Sequence, residues 1–295
     1  MDVRVVVRKY HGCDNVNELR PISTHHPEGQ NHFFQYSKCS GRRRAVCIGV
    51  NYLGQDHPLR GCINDARNVR RFLLNRRFAN EDIFMLTDDA TDPRAIPTRV
   101  NILDAMHWLV TGAHPHDSLF FHYSGHGSQV PSKTGDEVDS MDEIIFPVDY
   151  QKAGYILDDL IHKVLVASLP VGCRLTAIFD SCHSGSVMDV PYTYSQSGYT
   201  KKGGVTAEWF DRNSSPADVI CWSGCSDTQT SADTFEDGSA VGAMSWAFMS
   251  SLRDKPDQSY QELLASIRTL LKDRYSQIPQ LSSSHEIDTN LKFII

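Results

Sequence analysis

The sequence predicts an α/β fold, with a mostly parallel central β-sheet flanked by helices on both faces. Two observations carry that expectation. Short, nearly unbroken apolar runs recur at 44–51, 118–123, 174–180 and 218–223, and strands covered on both faces read this way. Between and around them lie segments of roughly 10–15 residues with helical apolar spacing, which is the βαβ pattern.

Taken in order, residues 1–41 are polar and irregular and read as an N-terminal arm or pro-segment ahead of one domain at 42–295. The run 44–51 is a buried strand. Residues 63–78 form an amphipathic helix, with Ile63, Ala66, Val69, Phe72 and Leu73 on one face. A short strand at 83–86 leads into the turn cluster 87–93, then a helix at 98–110 and a strand at 118–123. Residues 131–142 read as an acidic loop, and 143–146 with 154–156 as a hairpin. A helix at 158–168 opens on carboxylates, which the helix dipole favours. After the strand 174–180 comes a polar loop over 190–216. A strand at 218–223, helices at 240–252 and 260–275, and a terminal strand at 290–294 complete the chain.

Composition bounds the function. The 295 residues are 40% hydrophobic and 22% charged, with formal net charge −7. That is an ordinary soluble chain, and its acidic balance weighs against a nucleic-acid partner. No apolar stretch approaches the ~18 residues of a transmembrane helix, and the start of the chain is too short in apolar residues for a signal peptide. There are eight cysteines and no CxxC pair; Cys221 and Cys225 read as the end of a buried strand rather than a zinc site. Thiols without a leader suggest a reducing compartment. The expectation is a cytoplasmic monomer with no membrane partner, the nucleus also being open.

Two residues carry the chemistry. His126 and Cys182 each follow a strand-like run and precede small, turn-forming residues, in His122-Tyr-Ser-Gly-His-Gly127 and Asp180-Ser-Cys-His-Ser-Gly185. A thiol needs a base to become a thiolate at neutral pH. In strands, residues two apart share a face, so Asp180 leans with Cys182 and Ser124 with His126. Cys182 would attack a carbonyl carbon while His126 moves the proton. The backbone N–H groups of Gly127 and Cys182 would hold the oxyanion.

These two motifs resemble the signatures of the metacaspases, as do Leu59-Arg-Gly-Cys-Ile-Asn-Asp65 and the 275–285 segment. The resemblance runs from about Phe34 to Ile295 and is closest to fungal type I members. It implies a caspase-like sandwich and a calcium-dependent cysteine endopeptidase that cuts protein substrates after Arg or Lys. It implies Cys62, Asp65, Ser124 and Asp180 as the primary specificity pocket; two carboxylates attract a cation and reject an anion. Taken alone, Asp65 reads first as a helix-start carboxylate; it is the pairing with Asp180 that favours the pocket. The resemblance further implies Ca²⁺ as an activator held by Asp142, Asp158, Asp159 and Asp189, oxygen ligands of the kind calcium takes, although by composition these acids could be a solvated loop and helix start. Lys201 and Lys202 in the 190–216 loop are the expected self-cleavage point. The rival reading is a caspase-fold protein whose main role is non-proteolytic, as a scaffold in stress or aggregate handling.

Overall fold

The computed structural model describes residues 22–23, 34–132, 141–182, 184–195, 198–201, 207–224, 233–236, 239–272 and 278–295. Two short strands, β1 (Ile22–Ser23) and β2 (Phe34–Gln35), pair antiparallel. From Phe34 the chain packs into the body: Phe34, Tyr36, Ser37 and Cys39 are buried. The Ser37 N–H donates to Asp218 Oδ2 at 2.8 Å, and His285 stacks on Phe34 with centroids 3.7 Å apart.

The first crossover runs from β3 (Arg43–Gly49) through helix α1 (Cys62–Leu74) to β4 (Ile83–Thr87). Helix α2 (Arg99–Val110) then leads to β5 (Ser118–Ser124). Thr98 caps α2 by accepting the Asn101 N–H on its hydroxyl at 3.3 Å. A three-stranded antiparallel sheet follows: β6 (Gly127–Pro131), β7 (Met141–Ile145) and β8 (Ile156–Leu157), with the four-residue helix α3 (Tyr150–Ala153) between the last two. Next come α4 (Asp158–Leu165) and β9 (Arg174–Asp180). The chain continues through β10 (Tyr192–Ser195), β11 (Gly198–Lys201), α5 (Ala207–Asn213) and β12 (Asp218–Ser223). It closes with the hairpin β13 (Asp233–Glu236) and β14 (Ser239–Gly242), helices α6 (Ala243–Asp254) and α7 (Tyr260–Lys272), and β15 (Gln280–Ser283).

The main sheet has the order β11-β10-β15-β12-β9-β5-β3-β4. Strands β4, β3, β5, β9 and β12 are parallel; β15, β10 and β11 extend the sheet antiparallel. Alternate strand residues feed two cores. Cys47, Phe120, Ile178 and Trp222 face α1, α6 and α7. Ile48, Phe121, Phe179 and Cys221 face α2 and α4. The chain leaves β3 toward one edge through β4 and returns on its other side as β5. That reversal opens a crevice at the carboxyl ends of β3 and β5, where ligands sit in sheets of this kind.

Three expectations are corrected. The stretch 190–216 is not simply a polar loop: β10, β11 and α5 lie in it, anchored by buried Tyr192, Tyr194, Trp209 and Phe210. The terminal strand expected at 290–294 is a single bridge between Ser259 and Lys292; the strand is β15, inside the 275–285 segment. The acidic loop expected at 131–142 loses both its ends to strands, Pro131 of β6 pairing with Met141 of β7. Most of the acidic loop, 133–140, lies outside the described residues, as do His183 and Lys202.

Candidate functional site

Strands β5 and β9 are hydrogen-bonded neighbours, with Ser124 paired to Asp180 at their carboxyl ends. His126 and Cys182 each follow that pair by two residues, so both come to the same end of the sheet. The Gly125 N–H donates to the Asp180 carbonyl at 3.4 Å. A Cβ on Gly127 would overlap the carbonyl oxygen of Cys182 and lie 3.1 Å from the Ser181 side chain. Backbone approaches backbone here, and only glycine fits. Cys182 is half-buried.

The His126 ring is held from the loop after β3. Tyr52 stacks on it, with centroids 4.5 Å apart and planes 30° from parallel. The Tyr52 hydroxyl accepts the His126 N–H at 2.9 Å and donates to the Phe146 carbonyl at 2.7 Å. The Tyr123 hydroxyl donates to the His126 carbonyl at 2.8 Å. Burial raises the pKa of both phenols, so they stay neutral donors. His126 Nε2 lies 2.8 Å from the His57 carbonyl. A carbonyl only accepts, so this bond requires Nε2–H and leaves Nδ1 as the basic nitrogen. Tyr52 and His57 both have left-handed backbones, φ 54° and 58°. The loop is strained where it presents the ring and the carbonyl to His126.

Beneath this pair lie the carboxylates. Asp65 is fully buried on α1; it accepts the Ser124 hydroxyl at 2.7 Å and the Gly242 N–H at 2.8–2.9 Å. Asp180 accepts the Ser245 N–H, in the first turn of α6, at 2.8 Å. A Cβ on Gly242 would overlap Asp180 Oδ2 and sit 2.7 Å from Asp65 Oδ2, so Gly242 lies against both carboxylates at once. Cys62, three residues before Asp65, shares its helix face and is buried. His122 is fully buried beside this group, with Nε2 3.0 Å from the Ser245 hydroxyl.

A second acidic group lies under β7. Glu143, Asp158 and Asp189 are all buried, and each offers a carboxylate oxygen within 4.8 Å of the others. Asp158 Oδ2 accepts the Glu143 N–H at 2.6 Å, and Oδ1 accepts the Asp159 N–H at 2.8 Å. Burial, with Glu143 beside it, pushes the Asp158 carboxyl up to about 9. Gln129 Nε2 donates to Glu143 Oε1 at 3.0 Å. The turn bearing Asp189 is left-handed, φ 46°, and is held where His162 Nδ1 donates to the Met188 carbonyl at 2.9 Å. Three buried carboxylates this close repel one another, and a hard divalent cation suits that donor set. Of the four acids implied by resemblance, Asp158 and Asp189 fall in this cluster. Asp142 is on the neighbouring strand position, where the side chain takes the other face, and Asp159 is exposed; neither belongs to it. Lys201 ends β11, the outermost strand of the sheet.

Sequence reading missed Tyr52, Glu143 and Gly242. Glu143 was legible as an acid beside the apolar pair Ile144-Ile145, and Gly242 as a glycine opening a helix. Tyr52 carried no such signal.

A family model described as "Metacaspase, peptidase C14 domain" matches residues 43–191. Metacaspase-1 of Cryptococcus neoformans is 52% identical over 304 residues, 89% of this chain and 66% of its own length. Metacaspase-1A of Aspergillus terreus is 48% identical, across 97% of this chain and 81% of its own length. The chain thus spans about two thirds of the Cryptococcus relative. The crystal structure of protein GSU0716 from Geobacter sulfurreducens is similar in fold, with a TM-score of 0.60 and 25% identity over 84% of this chain and 95% of that one. No helix among the described residues is long and apolar enough to cross a membrane. With half the chain matched by the family model and fungal relatives near 50% identity, this chain belongs to the metacaspases, cysteine-type peptidases of the C14 family.

Proposed function

We propose that Cys182 is the nucleophile and His126 the general acid–base of an endopeptidase that cleaves after Arg or Lys. The observation that supports this reading is the Ser124–Asp180 register pair: His126 and Cys182 each lie two residues beyond it, and the paired side chains bond Asp65 and the Ser245 N–H. His126 Nδ1 takes the Cys182 proton, and the thiolate attacks the scissile carbonyl. The oxyanion lies against the Gly127 and Cys182 N–H groups. His126 then returns the proton to the leaving amine, and water releases the acyl group from sulfur. The His57 carbonyl and the Tyr52 ring keep the imidazole in one tautomer and one orientation through both proton transfers.

The cation of the preceding residue enters beside Asp65 and Asp180, with Ser124 and Cys62 on the wall. Calcium fits the buried acids, and we assign it to Glu143, Asp158 and Asp189. When bound, the ion supplies charge neutralisation to that cluster. Asp189 follows Cys182 by seven residues, so its turn belongs to the same segment as the nucleophile. Self-cleavage after Lys201 or Lys202 would cut beside the sheet's outermost strand and spare the interior strands.

Hydrolysis of an Arg-terminated fluorogenic peptide, with calcium and with a chelator, tests the reading. Turnover with calcium, none with Cys182→Ala, and an intact Cys182→Ala chain beside a wild type split near 201–202 are expected. A folded wild type without turnover would leave the non-proteolytic role.

A further inference from the structure

At the far end of the sheet from this site is an open pocket of about 560 Å³ with a charge opposite to that of the whole chain. Arg43, Arg76, Arg77, Arg253 and Lys292 line it, against one acid, Asp257. The chain as a whole carries −7, so the concentration of cations is local.

Ordinary structural roles account for part of the set. Arg76 donates to the Leu252 carbonyl at 3.3 Å and lies over the Phe72 ring at 3.7 Å; cations at helix carboxyl ends commonly bond so. Arg43 donates to the Cys39 carbonyl at 3.0 Å, and Lys292 pairs with Asp257. None of this accounts for Arg77 and Arg253. Both are exposed, and neither side chain makes an ion pair or hydrogen bond among the described residues. Burial without an acidic partner also lowers the pKa of Arg76, so the pocket holds charge that the fold leaves uncompensated. Guanidinium forks bond two oxygens of one anion at once, which favours a multi-oxygen, multiply charged anion of the phosphate type over halide or a lone carboxylate, and the volume falls in the range of small-ligand sites.

We propose that this pocket binds a small, multiply charged anion of the phosphate class. Its two principal walls are the carboxyl ends of α1 and α6. Those helices start at the acidic pocket, where α1 carries Asp65 and α6 caps Asp180, and they pack together through Phe72 and Phe248, 6.0 Å apart. A bound anion therefore clamps the two helices at the ends remote from the substrate carboxylates. The proposal does not depend on the reading of the peptidase site, and its test reads binding.

Inorganic pyrophosphate is the probe, titrated calorimetrically into the full chain and followed by thermal melting, with potassium chloride at matched ionic strength as control. The comparison is the doubly substituted chain Arg77→Gln, Arg253→Gln, in which two exposed side chains outside the catalytic machinery change. Expected are one-to-one binding and a raised Tm for the wild type, with affinity at least about tenfold weaker in the variant and basal peptide hydrolysis retained. Vesicles of phosphatidylcholine containing phosphatidylinositol 4-phosphate form a second arm. Co-sedimentation that the variant loses assigns the anion to a lipid headgroup; pyrophosphate binding without sedimentation assigns it to a soluble anion. Equal binding by wild type and variant, or a Tm rise that potassium chloride reproduces, would overturn the proposal.

Discussion

Ser124 and Asp180 face each other across β5 and β9 at the last paired position of the parallel sheet. Their side chains reach α1 and α6 respectively, through Asp65 and the Ser245 N–H. One register pair therefore fixes both the floor of the cleft and, two residues further on, the candidate reacting groups. The contact of Gly127 with the Cys182 carbonyl is what closes this arrangement from above. Gly127→Ala must push β6 away from Cys182 or distort it. We expect kcat/KM for an Arg peptide to fall at least about a hundredfold, about 2.7 kcal/mol of transition-state stabilisation. The loss in Tm should be small by comparison. Unchanged turnover would mean that the two backbones need not touch.

His122 gives a pH prediction. Buried and with its pKa down to about 3, it stays neutral in the folded chain, whereas an exposed histidine protonates near 6.5. Between those values the unfolded chain binds the extra proton, so stability is full above about 6.5 and declines as the pH drops, by at most about 1.4 kcal/mol per pH unit. Urea midpoints measured from pH 7 to pH 5 should fall less steeply for His122→Gln than for the wild type. Parallel slopes would show that His122 contributes nothing to the acid sensitivity.

Much of the fold was legible because the parallel strands are buried on both faces and read as plain apolar runs, such as Leu119-Phe-Phe121 and Ala177-Ile-Phe179. The candidate dyad stood out because glycines and strand ends mark it, and the β5–β9 register brings His126 and Cys182 to the same end of the sheet. The edge of the sheet was not. In β10, the buried Tyr192 and Tyr194 alternate with Thr193 and Ser195, and their apolar faces are hidden among Ser, Thr and Gly. The buried acidic cluster was half legible: the resemblance pointed to Asp142, whereas the acid that lies with Asp158 and Asp189 is its neighbour Glu143. The contact of Gly242 with both Asp65 and Asp180 joins positions far apart in sequence, and no local pattern announces it.

Glu143 separates the proposed calcium site from the acids implied by resemblance. Glu143→Gln should raise the calcium concentration for half-maximal activity at least about tenfold, since a charged oxygen ligand is lost. Asp159→Ala, outside the cluster, should move it much less. Magnesium should substitute poorly because it dehydrates reluctantly and demands a tighter octahedron. The reverse order, with Asp159→Ala the more damaging, would return the site to the acids implied by resemblance.

The central claim is that Asp65 and Asp180 read a cation in the substrate. Its most direct test is a peptide library varied only at the residue before the scissile bond, assayed with calcium against the wild type and Asp180→Asn. Arg should rank above Lys, since a guanidinium bonds carboxylate through two donors, and both far above neutral residues, with Asp refused. For Arg the rate should fall roughly a hundredfold in Asp180→Asn, the low end of what an unpaired buried charge costs. Preferred cleavage after Asp or Asn, or an Arg rate untouched by Asp180→Asn, would contradict the claim.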